Sequence, residues 1–564
     1  MEWVSYKICE KSAFGYVGLY FLCVMADVDG SNSNESDFQD EGENDSGSES
    51  DISVSTVNTE DLSDLSFSED EDGDGEVGWS RDPAPVNTTP FTSRTGAVSR
   101  IPEDRTAKDF FNLFVSDEVF EAFVEETNRY ATQCIAHKPD RRWRETNVEE
   151  MRAYFGLNIL FGIKKLPDTD LYWSKDAALG VPYVQKVMPR DRFDKLTQYL
   201  HINDNEKAAP RGHRDHDKLF KIRPLFEVVN SKFLEEYQPF QNLSVDEAMI
   251  AFKGQLAMKQ YLPMKPVKRG IKVWMCADAS NGFVCNMQVY TGKKDGGATE
   301  HGLGYRVVRD LTRPFIDKNH HVFADNFFTS IPLACDLLRD NTYFCGTVRF
   351  NRQGFPSSLK PTRADVKALR KGESKFCHRG NLVASVWKDT KLVHFLSTQS
   401  NPVGEHTVNR KQKDGTIVQI PTVPVVVDYN KNMGGVDLSD QQRQYYAVGR
   451  KSRKWWRYLL WFFIDVSIVN AHILECQADN HRSRTQLKFR LELSKMLIGD
   501  FSSRSLTVAE GRLTCGHWPV ATTRGRCKRC LKRKSTKFCQ ISCMACNKRV
   551  CLDCFANHTD DDLS

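Results

Sequence analysis

The chain has 564 residues, 40% of them hydrophobic and 11% aromatic, so it can bury a sizeable core and is neither wholly disordered nor collagen-like. Its net charge of +4 is the sum of two opposed regions. Residues 26–80 hold 19 Asp or Glu and no Lys or Arg, whereas residues 81–564 hold 76 basic and 53 acidic side chains. A body with a net charge of +23 behind an acidic arm indicates a polyanionic partner.

The N-terminal region, residues 1–100, is predicted to be disordered and acidic, because its Ser, Asp, Glu, Gly and Asn residues bury too little apolar surface to offset the entropy of ordering. Ser66 and Ser68 lie beside acids and fit an acidic-directed kinase, although a solvated tail also explains them. Phe14–Met25 has the length of a signal peptide and is too short to span a bilayer. A secretory route conflicts with the free cysteines described below, so an upstream extension or a wrongly chosen start codon is the other interpretation.

A helical domain is predicted over residues 101–240, where Phe and other apolar residues recur at three- and four-residue spacing. Thr146 and Glu149 fit a capping box, and Asp191 fits the cap of a later helix. From Asn242 the period changes to two. The segments IKVWMCADA and GFVCNMQVYTG flank an Asn-Gly turn signal typical of a hairpin, and HHVFADNFF is a further strand, followed by a helix beginning near Ser330.

Residues 343–427 contain three more short strands, CGTVRF, LVASVWK and KLVHFLST, in basic, loop-rich surroundings. A helix is predicted from Gly435. The strongly apolar run YLLWFFIDVSIVNAHIL after it is about 17 residues long and encloses Asp465. That length and charge favour a buried core helix over a membrane span, so we expect no membrane association.

Four aspartates stand out. Asp246 lies on the strand face opposite Leu243 and Val245, Asp325 ends the run VFAD, and Asp437 and Asp440 share one helix face. Each alone is explained by a turn or a cap. Several carboxylates share one site only when cations offset their repulsion, and oxygen ligands suit Mg²⁺ or Mn²⁺. A strand Asp, a second strand Asp after a hairpin and a helical Asp follow the order found in RNase H-like nucleotidyl transferases, where two ions promote phosphoryl displacement.

Three segments closely resemble the piggyBac family of DNA transposases and their domesticated relatives: NLSVDEAMIAFKGQLAMKQYLPMKPVKRGIKVW, HVFADNFFTSIPLACDLL and VVVDYNKNMGGVDLSDQQRQYY. The resemblance runs from about Phe110 to His558. It implies a mixed α/β fold with an RNase H-like DDE/D catalytic core (241–342 and 428–500) and an α-helical dimerisation and DNA-binding domain (101–240). It also implies a β-rich insertion domain (343–427) and a C-terminal cross-brace zinc finger (510–560).

The same resemblance implies roles for the four acids. Asp246, Asp325 and Asp437 match the family's catalytic aspartates, and Asp440 matches an additional essential one. It further implies a nuclear homodimer acting on double-stranded DNA with Mg²⁺ or Mn²⁺. The expected reaction nicks the transposon ends, forms a hairpin and joins the freed ends to a TTAA target, and excision leaves no footprint.

Eight of the 17 cysteines fall between Cys515 and Cys554, and their C-x-x-C spacings favour thiolate metal ligands in a reducing compartment. Eight ligands are enough for two interleaved Zn²⁺ ions, and the pairing of ligands with ions stays open. Cys515 and Cys539 are the substitutes if one choice is wrong. The predicted ligands are His517, Cys527, Cys530, Cys543, Cys546, Cys551, Cys554 and His558.

Two basic clusters indicate binding of phosphates. Residues 524–537 hold eight basic side chains in 14 and also fit a nuclear address, with a solvated charge run as the alternative. Residues 450–454 precede Trp455, Trp456 and Trp461, which favours a core helix whose N-terminal end meets DNA over stacking of all three rings on bases. Lys259, Lys265, Lys268 and Arg269 flank the first strands and could touch the substrate backbone. The predicted DNA-binding side chains are Arg524, Arg526, Lys528, Arg529, Lys532, Arg533, Lys534, Lys451, Arg453 and Lys454.

Two other classes of function compete with a live transposase. One is a catalytically silent descendant that acts as a nuclear DNA-binding or chromatin protein. The other is a RING-like ubiquitin ligase, since cross-brace zinc modules also recruit ubiquitin-conjugating enzymes. The basic surface expected around Cys527 argues against the ligase.

Overall fold

The computed structural model describes residues 78–99, 105–263, 265, 267–292, 302–412, 414–449, 451–478, 484–503, 519–532, 534–544 and 547–555. The chain forms two compact units. The first combines residues up to 165 with residues 199–497, and the second combines residues 166–198 with those from 498 onward. The sequence predictions for Phe14–Met25, Ser66 and Ser68 lie outside the described residues.

The helices follow the predicted periodicity in the first 240 residues and reappear between and after the strands. In chain order they are α1 Ala107–Asn112, α2 Asp117–His137, α3 Val148–Ile163, α4 Pro182–Val187, α5 Arg190–Tyr199, α6 Arg223–Glu236, α7 Gly302–Thr312, α8 Ile331–Arg339, α9 Ala364–Lys367, α10 Pro424–Asn432, α11 Gly435–Tyr445, α12 Trp455–Gln477, α13 Gln486–Ile498, α14 Lys528–Lys532 and α15 Leu552–Phe555.

The strands are concentrated between residues 237 and 422. In chain order they are β1 Gly96–Ala97, β2 Tyr237–Gln238, β3 Asn242–Ala251, β4 Gln260–Tyr261, β5 Arg269–Asp278, β6 Val284–Val289, β7 His321–Ala324, β8 Tyr343–Thr347, β9 Ser374–Arg379, β10 Leu382–Lys388, β11 Leu392–Ser397, β12 His406–Lys411, β13 Ile417–Thr422, β14 Pro519–Arg526 and β15 Phe538–Cys543.

Two predicted helix starts are shifted. Asn147, not Thr146, is the N-cap of α3: its side chain accepts from the Glu150 backbone N–H at 2.9 Å, while the Thr146 hydroxyl donates to the Glu150 carboxylate. Thr and Asn both cap helices well, so the sequence does not distinguish them. Asp191 lies inside the first turn of α5 and is not its cap, a position where an acid still favours the helix dipole.

The first unit is built on one mixed sheet with strand order β4-β5-β3-β7-β8-β11-β10-β9, and β6 also pairs with β5. β3, β5 and β6 run antiparallel, whereas β3, β7 and β8 are parallel neighbours. The Asn-Gly turn between β5 and β6 is confirmed, with Gly282 at a φ of +80° and its N–H donating to the Asp278 carbonyl. The helix predicted to begin near Ser330 is α8, and Ser330 is its N-cap.

The strands predicted for an insertion from residue 343 do not start a sheet of their own. β8 is the parallel neighbour of β7, and its other edge pairs with β11, so β9–β11 extend the core sheet. β12 and β13 form a separate two-stranded ribbon. β8 is an almost fully buried strand, and its two neighbours, β7 and β11, lie before and after residue 343 in the sequence.

Helix α12 is the central buried helix of the first unit. Among the described residues it is the helix long and apolar enough to cross a membrane, and 89% of its most apolar window is buried inside the protein. The Asn470 side chain on α12 makes the backbone hydrogen bonds that a neighbouring strand would make to β6. Its amide oxygen accepts from the Val284 N–H at 3.0 Å, and its amide nitrogen donates to the Val284 carbonyl at 2.9 Å.

A buried ion pair joins α12 to α13. Arg490 Nη1 lies 2.7 Å from Asp465 Oδ1, and the two side chains are 0% and 2% exposed. The second carboxylate oxygen accepts from the Val448 N–H, and Arg490 also donates to the Tyr446 carbonyl. The pair therefore anchors the segment that connects α11 to α12.

The segment of residues 78–99 lies along the first unit, although the sequence indicated disorder up to about residue 100. Ser80 forms a backbone bridge with His378 on β9, and Asn87 exchanges hydrogen bonds with Asn381. β1 then pairs with β2. These contacts are long-range in sequence, so composition alone does not reveal them.

Within the second unit, β14 and β15 form a hairpin with the short helices α14 and α15, and this part (residues 519–555) is called the hairpin unit below. Cys527, Val550 and Cys551 are its buried core, with Phe555 and further cysteines packed against them. Trp173 donates to the Met188 carbonyl at 2.7 Å in the other segment of this unit.

Candidate functional site

The sheet brings two of the predicted acids together. β3 and β7 pair in parallel with Val245 opposite Ala324, so the next residues, Asp246 inside β3 and Asp325 just after β7, lie on neighbouring chains of the sheet. Asp246 is 9% exposed. Asp325 continues into a turn in which its carboxylate accepts from the Phe327 N–H at 2.8 Å, which fixes the carboxyl group at the strand end.

Helix α11 carries the other two predicted acids, Asp437 and Asp440. Its first turn lies on β3, where the Val436 N–H donates to the Ser244 hydroxyl at 3.1 Å. Gly435 makes this approach possible, because a Cβ there would lie 2.5 Å from the Ser244 oxygen and 3.0 Å from the Asp278 carbonyl oxygen. Asp437 and Asp440 follow on the same helix.

The charges at this site are strongly perturbed. Burial, followed by the neighbouring charge of Glu247, raises the pKa of Asp246 to about 7, and Asp325 also adds to the repulsion. Burial and then Glu247 raise the pKa of Asp325 as well. Burial raises the pKa of Asp440, opposed by the Arg443 guanidinium. Buried carboxyl groups whose charges raise one another's pKa values are typical of a site that accepts cations.

Glu247, Arg443 and Arg352, which the sequence analysis does not assign to this site, complete it together with Lys265. Glu247 accepts from Lys265 at 3.1 Å. Arg443 lies 3.0 Å from Asp440, and Arg352 donates to the Phe327 carbonyl beside Asp325. The position of Arg443, three residues after Asp440 on a helix, predicts an ion pair between the two side chains. The approach of Lys265 and Arg352 to the acidic site depends on the fold.

The acidic site has the donors that a divalent cation needs. Its carboxylates supply oxygen atoms only, which suits Mg²⁺ or Mn²⁺ rather than zinc. Burial together with mutual repulsion raises the pKa values of Asp246 and Asp325, so a bound divalent cation would stabilise their ionised forms. Asp246, Asp325 and Asp437 are the residues that would hold the ions.

A second candidate metal site lies in the hairpin unit. The Sγ atoms of Cys527, Cys530, Cys551 and Cys554 all lie within 4.8 Å of one another. The Cys530 sulfur is 3.8 Å from that of Cys551 and 3.6 Å from that of Cys554. Tetrahedral zinc with Zn–S bonds of about 2.3 Å places sulfurs about 3.8 Å apart, so the spacing fits Zn²⁺.

Backbone donors support this cluster. The N–H groups of Cys530 and Cys551 donate to the Cys527 sulfur. Burial would raise the pKa of Cys527, but these hydrogen bonds lower it to about 7, whereas the hydrogen bond with Cys554 raises the pKa of Cys530. Cys527 is therefore the cysteine of this group that most readily supplies a thiolate in the absence of an ion. Cys543 is described and buried outside this four-cysteine group. The predicted ligands His517, Cys546 and His558, and the substitute Cys515, lie outside the described residues.

The predicted DNA-binding side chains fall on two surfaces. In the hairpin unit Arg524 and Arg526 lie over the Phe538 ring, at 5.4 and 5.8 Å from its centroid, and Arg529 donates to the Cys554 carbonyl. This surface also exposes Leu531 and Met544, so it is not purely basic. Arg533 lies outside the described residues. The other exposed members are Lys528, Lys532 and Lys534.

The second surface precedes α12. Lys451 and Arg453 are exposed, and Lys454 lies over the Tyr130 ring. Trp456 and Trp461 are buried, at 2% and 6% exposed, so neither ring is available to stack on bases. This arrangement agrees with a core helix that presents its basic N-terminal end.

Comparison with known proteins gives a consistent result. A family model described as Transposase IS4 matches residues 106–472. The human PiggyBac transposable element-derived protein 3 is 28% identical over 67% of this chain, and the chain spans 63% of that protein's length. The human PiggyBac transposable element-derived protein 5 is 26% identical over 76% of this chain and 83% of its own length. A solved piggyBac transposase synaptic complex with hairpin DNA has a TM-score of 0.63 and 26% identity, covering 82% of this chain and 100% of the solved chain.

Proposed function

The chain belongs to the piggyBac family of transposases and transposase-derived proteins, and on this premise we propose that it cuts and joins double-stranded DNA in a divalent-metal-dependent reaction. The observation that carries the proposal is the convergence of Asp246 and Asp325 on adjacent parallel strands with Asp437 and Asp440 on the helix that lies against β3. The sheet order β6-β5-β3-β7-β8, with β5 antiparallel to β3 and with β7 and β8 parallel to it, supports an RNase H-like core.

The chemistry follows from the donor set. Two divalent ions, when bound, activate the attacking oxygen and stabilise the leaving oxygen of an in-line phosphoryl displacement. Asp246, Asp325 and Asp437 are the residues that would hold those ions, and Asp440 is kept in place by Arg443. In each step one P–O bond forms and one breaks, first with water as the nucleophile at a transposon end, then with the freed 3′-hydroxyl on the opposite strand to give a hairpin. After the hairpin opens, the 3′-hydroxyl attacks a TTAA target.

A cleavage assay tests this proposal. The full chain is incubated with terminal-repeat duplexes, hairpin DNA and TTAA duplexes in Mg²⁺ or Mn²⁺. We expect Asp246→Asn, Asp325→Asn and Asp437→Asn each to lower the cleavage rate by about 10³ or more while DNA binding is retained, because several kcal/mol of transition-state stabilisation are lost. Asp365→Asn, at an exposed carboxylate paired with Lys375, serves as the matched control.

The same assay separates the live enzyme from the silent alternative. If the wild-type chain binds these DNAs but neither nicks nor joins them in either metal, the enzyme proposal is wrong and the chain is a DNA-binding descendant. Full cleavage by Asp246→Asn would instead refute the assignment of the acids. We also propose, on the family resemblance, that the protein works in the nucleus as a homodimer.

We further propose that the hairpin unit is a zinc-dependent DNA-binding finger. The four-sulfur spacing fits one Zn²⁺, and cysteines and histidines predicted outside this group would hold a second. Chelation should remove zinc and unfold the hairpin unit, since structural zinc sites contribute directly to folding. The measurement is zinc stoichiometry by mass spectrometry with DNA affinity before and after chelation. Unchanged affinity after complete zinc loss would exclude the finger from DNA recognition.

A further inference from the structure

We propose that Lys265 is a positioning residue of the acidic site: its ammonium group is a built-in counter-charge that holds the carboxylates together before divalent ions bind and is displaced from them when ions enter. The proposal rests on the metal-dependent function proposed above. It concerns the metal-free state of the site, which that function does not define.

Two backbone hydrogen bonds position Lys265. The residue lies in the connection between β4 and β5, where the Leu262 N–H donates to the Lys268 carbonyl at 2.8 Å and the Lys265 N–H donates to the Leu262 carbonyl at 3.2 Å. These bonds close a turn with Lys265 at its end. Its side chain is 35% exposed, so the ammonium group has access both to the carboxylates and to solvent.

Glu247 anchors this ammonium group. Lys265 Nζ is 3.1 Å from Glu247 Oε1, and the Glu247 side chain is only 10% exposed. The other carboxylate oxygen of Glu247 lies 3.9 Å from Lys272 Nζ. Lys272 also lies near two aromatic rings, since its ammonium is 5.2 Å from the centre of the Phe327 ring and 5.9 Å from that of Trp274. The two lysines therefore share Glu247 but have different surroundings.

Lys265 interacts electrostatically with all four aspartates. Its positive charge stabilises the ionised forms of Asp246, Asp325 and Asp440, and Asp437 in turn acts on Lys265. Burial would lower the pKa of Lys265, but the charges of Asp246 and Glu247 raise it above its usual value, so the side chain stays a cation. Arg443, by contrast, pairs with Asp440 at 3.0 Å.

This arrangement makes a specific prediction about metal binding. A divalent ion must share the carboxylates with Lys265, so the lysine weakens ion binding in the absence of DNA. Removing its charge should tighten Mn²⁺ binding to the DNA-free protein by about tenfold, since the ammonium group that pairs with Glu247, the neighbour of Asp246 on β3, repels a second cation. The same removal should destabilise the metal-free protein, because the carboxylates then lack their counter-charge.

The experiment measures Mn²⁺ affinity of the DNA-free full chain by electron paramagnetic resonance at pH 8, together with thermal melting in EDTA and in Mn²⁺. We expect Lys265→Met to bind Mn²⁺ about tenfold more tightly, to melt earlier than wild type in EDTA and to recover in Mn²⁺. Lys265→Arg should behave as wild type. Lys272→Met is the matched control, because it removes the other Glu247 partner and should leave Mn²⁺ affinity unchanged.

The outcomes are distinguishable. Wild-type Mn²⁺ affinity in Lys265→Met, together with wild-type melting in EDTA, would overturn the proposal. Tighter binding in both lysine variants would attribute the effect to Glu247 and not to Lys265, and would also overturn it. If no protein binds Mn²⁺, the metal-dependent function fails, and the EDTA melting comparison alone decides whether Lys265 is the counter-charge.

Discussion

The buried pair of Arg490 and Asp465 offers the sharpest test of how the first unit is stabilised. Replacing Arg490 with Met removes the guanidinium 2.7 Å from Asp465 and leaves a carboxylate that is 2% exposed without its cation. Breaking a buried pair from one side costs about 3–5 kcal/mol, because the remaining charge is still desolvated. We expect the free energy of unfolding of the first unit to fall by that amount.

Removing both charges should cost much less. Asp465→Asn keeps an acceptor for the Val448 N–H, and Met fills part of the volume of Arg490. Buried Nε and Nη2 of Arg490 have no hydrogen-bond partner among the residues that the structure describes, so within that part of the chain the pair is incompletely satisfied. The double variant should therefore lie within about 1–2 kcal/mol of wild type, since paired buried charges and apolar replacements are often nearly equivalent.

Urea unfolding followed by tryptophan fluorescence measures these differences, because Trp456 and Trp461 are buried in α12. The four proteins form a double-mutant cycle, and a coupling energy of several kcal/mol is expected. A single Arg490→Met variant within 1 kcal/mol of wild type would refute the reasoning. So would a double variant whose loss equals the sum of the two single losses.

Three other predictions concern named buried groups. Burial lowers the pKa of His201 to about 2, so the unfolded chain binds a proton more readily than the folded one. The free energy of unfolding should therefore fall below pH 6.5 and be about 1.4 kcal/mol lower at pH 5.5 than at neutral pH. Urea unfolding of His201→Phe at neutral pH and at pH 5.5 should not show this difference. Gly435→Ala should displace α11 and weaken Mn²⁺ binding, whereas Gly449→Ala, whose added methyl group meets only the Ala447 oxygen at 3.9 Å, should not; equal affinities would contradict this. Asn470→Leu should cost about 2–4 kcal/mol in urea unfolding, because two buried backbone groups of Val284 lose their partners, and a loss below 1 kcal/mol would disprove it.

Local patterns predicted the elements that carry the acids. Neighbouring residues in the sequence are enough to predict three features: the period of two around Asp246, the Asn-Gly turn and the helix start near Ser330. Each is found in the structure. Their assembly is only partly local. The resemblance to a known family supplied the grouping of Asp246, Asp325 and Asp437, which no single spacing determines.

The features missed by the sequence depend on contacts between distant segments. The sequence identifies Lys265 only as a cation that flanks the strands, because its approach to Glu247 requires the turn between β4 and β5. Trp456 and Trp461 were open to a stacking role until the packing of α12 showed them buried. The pairing of β8 with β11 joins residues about 50 positions apart, and hydrophobicity does not encode such partners.

The continuity of the sheet through β8 has an evolutionary consequence. Leu396 pairs with Gly346 on one edge of β8, while Ala324 pairs with Gly346 on the other. Deleting the segment after β8 would expose a row of unpaired backbone groups next to Asp325, an edge that invites aggregation. We therefore expect a descendant that has lost the catalytic activity to keep the segment after β8, because the segment covers this edge of the sheet. The presence of the segment in such a descendant would indicate a requirement for folding and not catalytic activity.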